Sequence, residues 1–96
     1  MSGLVTLEIN AKPDNITDVN ELLTELFPDT RSDDGCIDIT AYLNDNEYTF
    51  LFVEHRESKV KYEKYLAWRE ETGSLAALGN YFQGPPLIRY FDAIDA

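Results

Sequence analysis

One arginine stands among aromatic rings at helical spacing. In Ser58–Thr72, SKVKYEKYLAWREET, a turn of about 100° per residue gathers Tyr62, Tyr65, Leu66 and Trp68 on one arc. Glu63, Lys64, Glu70 and Glu71 fall on the other side, and Arg69 lands in the middle of the aromatic arc. A guanidinium there is either paired inside the fold, with Glu54 or Asp92, or it borders a pocket and steadies an anion in a dry site. His55, the only histidine, has a reference pKa nearest neutrality. It is either hydrogen-bonded at a strand end or a general base. Tyr62, Tyr65 and Trp68 are core, or a platform for an aromatic ligand. Arg89 is a second candidate cation, with an ion pair between subunits as its structural reading. Tyr81 completes the candidate binding set.

Other chemistries lack their residues. A sole histidine, a sole cysteine and no H-x-x-x-H or C-x-x-C spacing argue against a transition-metal site. Nucleotide-binding glycine patterns and the G-x-S-x-G elbow are missing too. Cys36 has no evident base and reads as a small, buried strand-start residue. A formal net charge of −10 repels nucleic acid and anionic lipid. Five of the eight basic residues (Arg56, Lys59, Lys61, Lys64 and Arg69) lie between 56 and 69. Most of these read as a solvated helix face with ion pairs. No apolar run approaches a membrane span, and MSGLVTLEINA lacks a signal-peptide pattern. With one unpaired cysteine, a cytoplasmic protein is expected.

The elements that must position these residues read as one domain over 1–96. Leu4–Ala11 alternates as a half-buried strand. Lys12-Pro13-Asp14-Asn15 breaks it, and Asn15 or Thr17 can cap a helix carrying Ile16, Val19, Leu22, Leu23, Leu26 and Phe27 on one stripe. Pro28 is expected to end or distort that helix, with 31–35 as a loop. Cys36–Leu43 is a strand with Ile37, Ile39, Ala41 and Leu43 on one face. Asn44-Asp45-Asn46 is a short turn. Tyr48–His55 is a strand apolar on both faces, which needs cover on both. Two helices cover one side only, so a second subunit is expected on the other. Ser58 caps the aromatic helix, Gly73 closes it, and Ser74 restarts a shorter one through Leu75, Leu78 and Phe82. After Gly84-Pro85-Pro86, Leu87–Ile94 is a last strand. This order, βαββαβ, predicts an α+β ferredoxin-like fold with an antiparallel sheet and helices on one face. The pocket then lies between the second helix and the sheet.

Several stretches resemble the antibiotic biosynthesis monooxygenase family, which includes quinol monooxygenases. Leu7–Pro13 resembles its first strand and closing turn. Thr30-Arg31-Ser32-Asp33-Asp34-Gly35-Cys36 resembles its Thr-Arg-x-x-x-Gly-Cys loop. Phe52-Val53-Glu54-His55-Arg56-Glu57-Ser58 resembles its third-strand exit, and Tyr65-Leu66-Ala67-Trp68-Arg69 with Gly84-Pro85-Pro86 resembles one branch. Arg56 stands where many members have Trp or Tyr, and the second helix lacks the histidine many members carry. The resemblance implies a homodimer of the dimeric α/β barrel type, joined through its sheet faces. It also implies oxygenation of a small aromatic, a phenol or quinol, without flavin, haem or metal. On that reading His55, or a tyrosine acting through water, takes the phenolic proton. Arg69 and the Trp68 indole steady the anion, Tyr62, Tyr65, Tyr81 and Arg89 hold the ring, and the anion itself reduces O2. A non-catalytic dimer that binds an aromatic metabolite is the second reading. Haem handling is the third, and it lacks its axial histidine on the second helix.

Overall fold

The computed structural model describes residues 3–96. β1 (Gly3–Asn10) sends Val5, Leu7 and Ile9 inward. A 3₁₀ turn at Pro13–Asn15 leads into α1 (Ile16–Ser32), whose buried stripe is Val19, Leu23, Phe27 and Thr30. β2 (Cys36–Asn44) and β3 (Thr49–Arg56) form a hairpin. α2 (Lys59–Thr72) starts where the Ser58 hydroxyl accepts a hydrogen bond from the Lys61 N–H, and ends at Gly73 in the left-handed region. The short α3 (Ser74–Gly79) buries Leu78, and β4 (Leu87–Asp92) closes the sheet.

The sheet is antiparallel throughout, in the order β2-β3-β1-β4. Its inner face packs on the helices: Leu7, Ile9, Ile39, Phe50 and Phe52 meet Val19, Leu23, Phe27 and Leu78 in one core. A second, smaller cluster joins Val5 to Tyr62 and Tyr65. This is the ferredoxin-like α+β fold. Register puts Asp38, His55, Leu4 and Phe91 in one row of the outer face, Thr40, Val53, Thr6 and Arg89 in the next, and Tyr42, Leu51, Glu8 and Leu87 in a third.

Local details depart from the sequence expectations. α1 runs through Pro28 to Ser32. Proline removes the donor for the Thr24 carbonyl, but both residues face water, while the buried stripe holds the helix together. The loop is thus shorter than 31–35. A bulge between Cys36 and Asp38 turns Ile37 out of the inner row, leaving it 55% exposed. The hairpin turn extends through Tyr48, which adopts φ 54°. The last strand stops at Asp92, short of the exposed Ile94. Asn15 occupies the α1 cap position, yet its side chain donates to Asp18 instead of capping the backbone.

Candidate functional site

Tyr62, Tyr65 and Arg69 share the buried face of α2, as the helical spacing requires. Arg69 is only 4% exposed. Its Nε donates to the Tyr65 hydroxyl at 2.8 Å, Nη1 to Ser74 Oγ at 3.3 Å, and Nη2 to the Leu26 carbonyl at 2.6 Å and Thr30 Oγ1 at 3.0 Å. All four acceptors are neutral. Neither carboxylate considered for it, Glu54 or Asp92, is its partner. Its guanidinium lies 4.7 Å from the Trp68 ring centroid and 5.4 Å from that of Tyr65. A full charge is therefore solvated by dipoles and rings alone, on the wall of a cavity of about 40 Å³. Leu7, Phe52 and Leu66 contribute to the apolar lining between helices and sheet, and Glu54, Tyr62 and Tyr65 are the cavity's other titratable walls.

Glu54 is the residue that sequence reasoning passed over. It entered there as a possible mate for Arg69 and as part of the third-strand exit stretch, without a role in the chemistry. Its actual mate is Arg56, two residues on along the same strand and therefore on the same face. Arg56 Nε and Nη2 both donate to Glu54 Oε1, at 3.1 and 2.9 Å, while Nη1 donates to Asp33 Oδ2 at 2.8 Å. Among the described residues no donor reaches Glu54 Oε2. The Arg56 guanidinium also sits 4.9 Å from the Tyr62 ring and 4.5 Å from the Tyr65 ring. Burial pushes the Glu54 carboxyl above its ordinary value, with Arg56 pulling the other way. Burial, helped by the nearby Glu54 charge, pushes the Tyr62 phenol far up. The available signal was the inward register of β3: an acid at an inward position of a strand this apolar has to be buried with a partner.

The remaining candidates lie elsewhere. His55 projects from the opposite face of the sheet, where its Nδ1 is 2.6 Å from Asp38 Oδ1. The sheet separates it from the cavity, because strand neighbours point to opposite sides. Trp68 sits at the edge of the helical arc and is 42% exposed. It borders a surface hollow with Asp29, Asp33 and Asp34, outside the cavity. Tyr81 packs against the main core near Leu78 and does not line the cavity. Arg89 lies on the outer face beside Thr6. Burial raises the Cys36 pKa, which keeps its thiol protonated. Among the described residues no group of three or more His, Cys, Asp or Glu side chains is placed to hold a metal ion. Lys61 bridges Asp34 and Glu57 at 3.3 Å each, and Lys59 covers the Tyr90 ring, so these lysines serve the surface.

The βαββαβ sheet thus carries a small, mainly apolar cavity beneath its second long helix. The profile described as antibiotic biosynthesis monooxygenase matches residues 3–78, and the chain belongs to that family. Rv0793 from Mycobacterium tuberculosis superposes with a TM-score of 0.85 at 18% identity, covering 100% of this chain and 98% of its own. A crystal structure described as an antibiotic biosynthesis monooxygenase gives 0.86 at 20% identity, with 99% and 100% coverage. A conserved protein from Methanosarcina mazei Go1 gives 0.86 at 16% identity, with 96% and 92% coverage. At these identities the superpositions speak for the fold. No curated protein matches the sequence. Among the described residues no helix is long and apolar enough to cross a membrane.

Proposed function

We propose that the cavity beneath α2 takes a small phenol or quinol and oxidises it with O2, without a bound cofactor. The observation that carries this reading is Arg69: a buried cation with neutral hydrogen-bond partners, facing an apolar hollow, lacks the negative charge that would complete it. A phenolate supplies that charge. A preorganised guanidinium in a dry site stabilises such an anion far better than water-exposed charge does. For a phenol with a free para position the balance is phenol plus O2 giving para-quinone plus water. The phenolate passes one electron to O2, and the two radicals combine at the para carbon to form a peroxide. Loss of that carbon's hydrogen with cleavage of the O–O bond leaves the quinone. Membership of the monooxygenase family supports this chemistry.

At about 40 Å³ the cavity is well below the ~300 Å³ at which small-molecule pockets begin. Substrate therefore has to displace part of the wall. α3 supplies Ser74, Leu75 and Leu78 to that wall. It is six residues long and joins α2 at Gly73, whose φ of 80° marks a left-handed joint. Outward movement of α3 enlarges the hollow while Arg69 stays anchored to α1.

The outer sheet face is read as the meeting surface of two copies of the chain. Leu51, Val53, Tyr42, Leu87 and Phe91 form its apolar part. The rival is a non-catalytic dimer that holds an aromatic metabolite. Oxygen uptake with a panel of phenols and quinols separates them. Oxidase activity in the wild type that drops at least about tenfold in Arg69→Ala supports the enzyme. Binding across the panel with no uptake supports the binding module.

A further inference from the structure

Resting on the phenol-oxidising reading above, we propose that Glu54 is the group that takes the substrate's hydroxyl proton and that Arg56 is the residue that positions it. Glu54 is 2% exposed and lies on the cavity wall. Both Arg56 hydrogen bonds end on Oε1, so the carboxylate is held from one side and Oε2 is left for a ligand. Asp33 holds the far end of the same guanidinium. Arg69 borders the same hollow. One group accepts the proton while the other receives the charge, so the net charge of the cavity is unchanged by the transfer.

The alternatives are poorly placed. His55 is on the other side of the sheet. Burial raises the Tyr62 phenol so far that it offers no base near neutrality. Burial, then Arg56 on its own strand and Asp33 in the loop, set the charge state of Glu54. Cys36 on β2 and Tyr62 on α2 feel its charge, and Tyr65 and Arg69 on α2 share its cavity. Burial lifts Glu54 toward the range where a carboxylate is a useful base.

The proton steps balance. The substrate O–H bond breaks, its electron pair stays on oxygen, and an Oε2–H bond forms. After O2 joins the para carbon, the proton on Glu54 passes through water to the outer peroxide oxygen. The hydrogen on that carbon then leaves as a proton as the O–O bond breaks. Hydroxide leaves and collects this second proton as water, and the carboxylate is restored.

The test uses a nitrophenol, whose phenolate absorbs in the visible, at a pH just below the value at which the free probe ionises. The expected result is a phenolate band on binding to wild type with little proton release to a weakly buffered solution, and release of about one proton per bound phenolate in Glu54→Gln, which has no base to take it. Binding as the neutral phenol to wild type overturns the role of Glu54 and leaves the phenol pocket standing. Equal proton release by wild type and Glu54→Gln does the same. No binding by wild type overturns both. Should Glu54→Gln fail to fold, the wild type itself decides through 13C-labelled glutamate: one carboxyl carbon moves from its ionised to its protonated position when the probe binds. No such movement counts against the proposal. For Arg56, the conservative Arg56→Lys should shift the acid limb of kcat to higher pH with little change in KM. An unmoved limb would reduce Arg56 to packing.

Discussion

At Arg69 a positive charge sits at 4% exposure against oxygens of Tyr65, Ser74, Leu26 and Thr30. Removing the guanidinium takes a charged donor from all four, although Thr30 still bonds the Tyr65 hydroxyl and the Leu26 carbonyl, and Ser74 still bonds Thr72. Arg69→Met should therefore lose about 2–4 kcal/mol in urea unfolding, even though its side chain fills part of the space. Glu54 makes a different prediction, one of pH. Its carboxyl titrates higher in the folded chain than in the unfolded chain. Between the two values the folded state holds a proton that the unfolded state has released. The contribution to stability is complete below the unfolded pKa and is lost as pH rises through the folded one. Unfolding free energy of wild type minus that of Glu54→Gln should thus decline with rising pH across this acid range. A flat difference would show that burial does not shift the carboxyl. The position of Arg69 was legible because helical spacing alone fixes a face. The partnership of Glu54 was not, since strand register names the face but not which of several nearby cations it meets. His55 illustrates the same alternation: adjacent to Glu54 in sequence, it stands on the opposite side of the sheet.

The elements hold this site through local features that can be weighed one by one. The Ser58 hydroxyl caps α2, and Ser58→Ala should cost about 1 kcal/mol by thermal or urea unfolding. Gly73 and Gly35 both adopt positive φ, but their surroundings differ. A Cβ at Gly73 meets nothing within 4 Å, whereas one at Gly35 lies 2.8 Å from Lys61 Cβ and Cδ. Gly73→Ala should cost about 1–2 kcal/mol, the backbone term alone. Gly35→Ala should cost more, because α2 has to shift from the 33–35 loop. Equal losses would mean that the loop and helix are not tightly apposed. The caps at Ser58 and Gly73, the restart at Ser74 and the order of elements were readable from residue types, whereas Asn15 does not cap α1 and the short helix stops at Gly79 instead of running through Phe82. Pro28 misled because a lost hydrogen bond on a wet face is a small cost beside the buried stripe of Val19, Leu23, Phe27 and Thr30. The bulge at Ile37 left no mark in the alternating pattern, since an isoleucine suits either side of it.

The whole molecule presents one covered and one bare sheet face. Phe91 and Tyr42 on the bare face are 46% and 57% exposed, and Leu87 is 43% exposed. An apolar area of this kind is where chains meet. Sedimentation of wild type should give a dimer, and Phe91→Asp should weaken it by at least about tenfold in dissociation constant. A monomer at every concentration would contradict the pairing. The two-sided apolarity of the third strand was legible, whereas the state of the cavity was not: its size depends on how closely α3 packs, which no spacing rule determines. Binding tests the account most directly. A phenol titration followed through the Arg69 Nε–H signal and the methyl groups of Leu66, Leu75 and Leu78 should show shifts confined to this cavity, with backbone amides of α3 moving alongside. Shifts gathered instead around His55, Asp38 and Phe91, with the Arg69 signal unchanged, would contradict it.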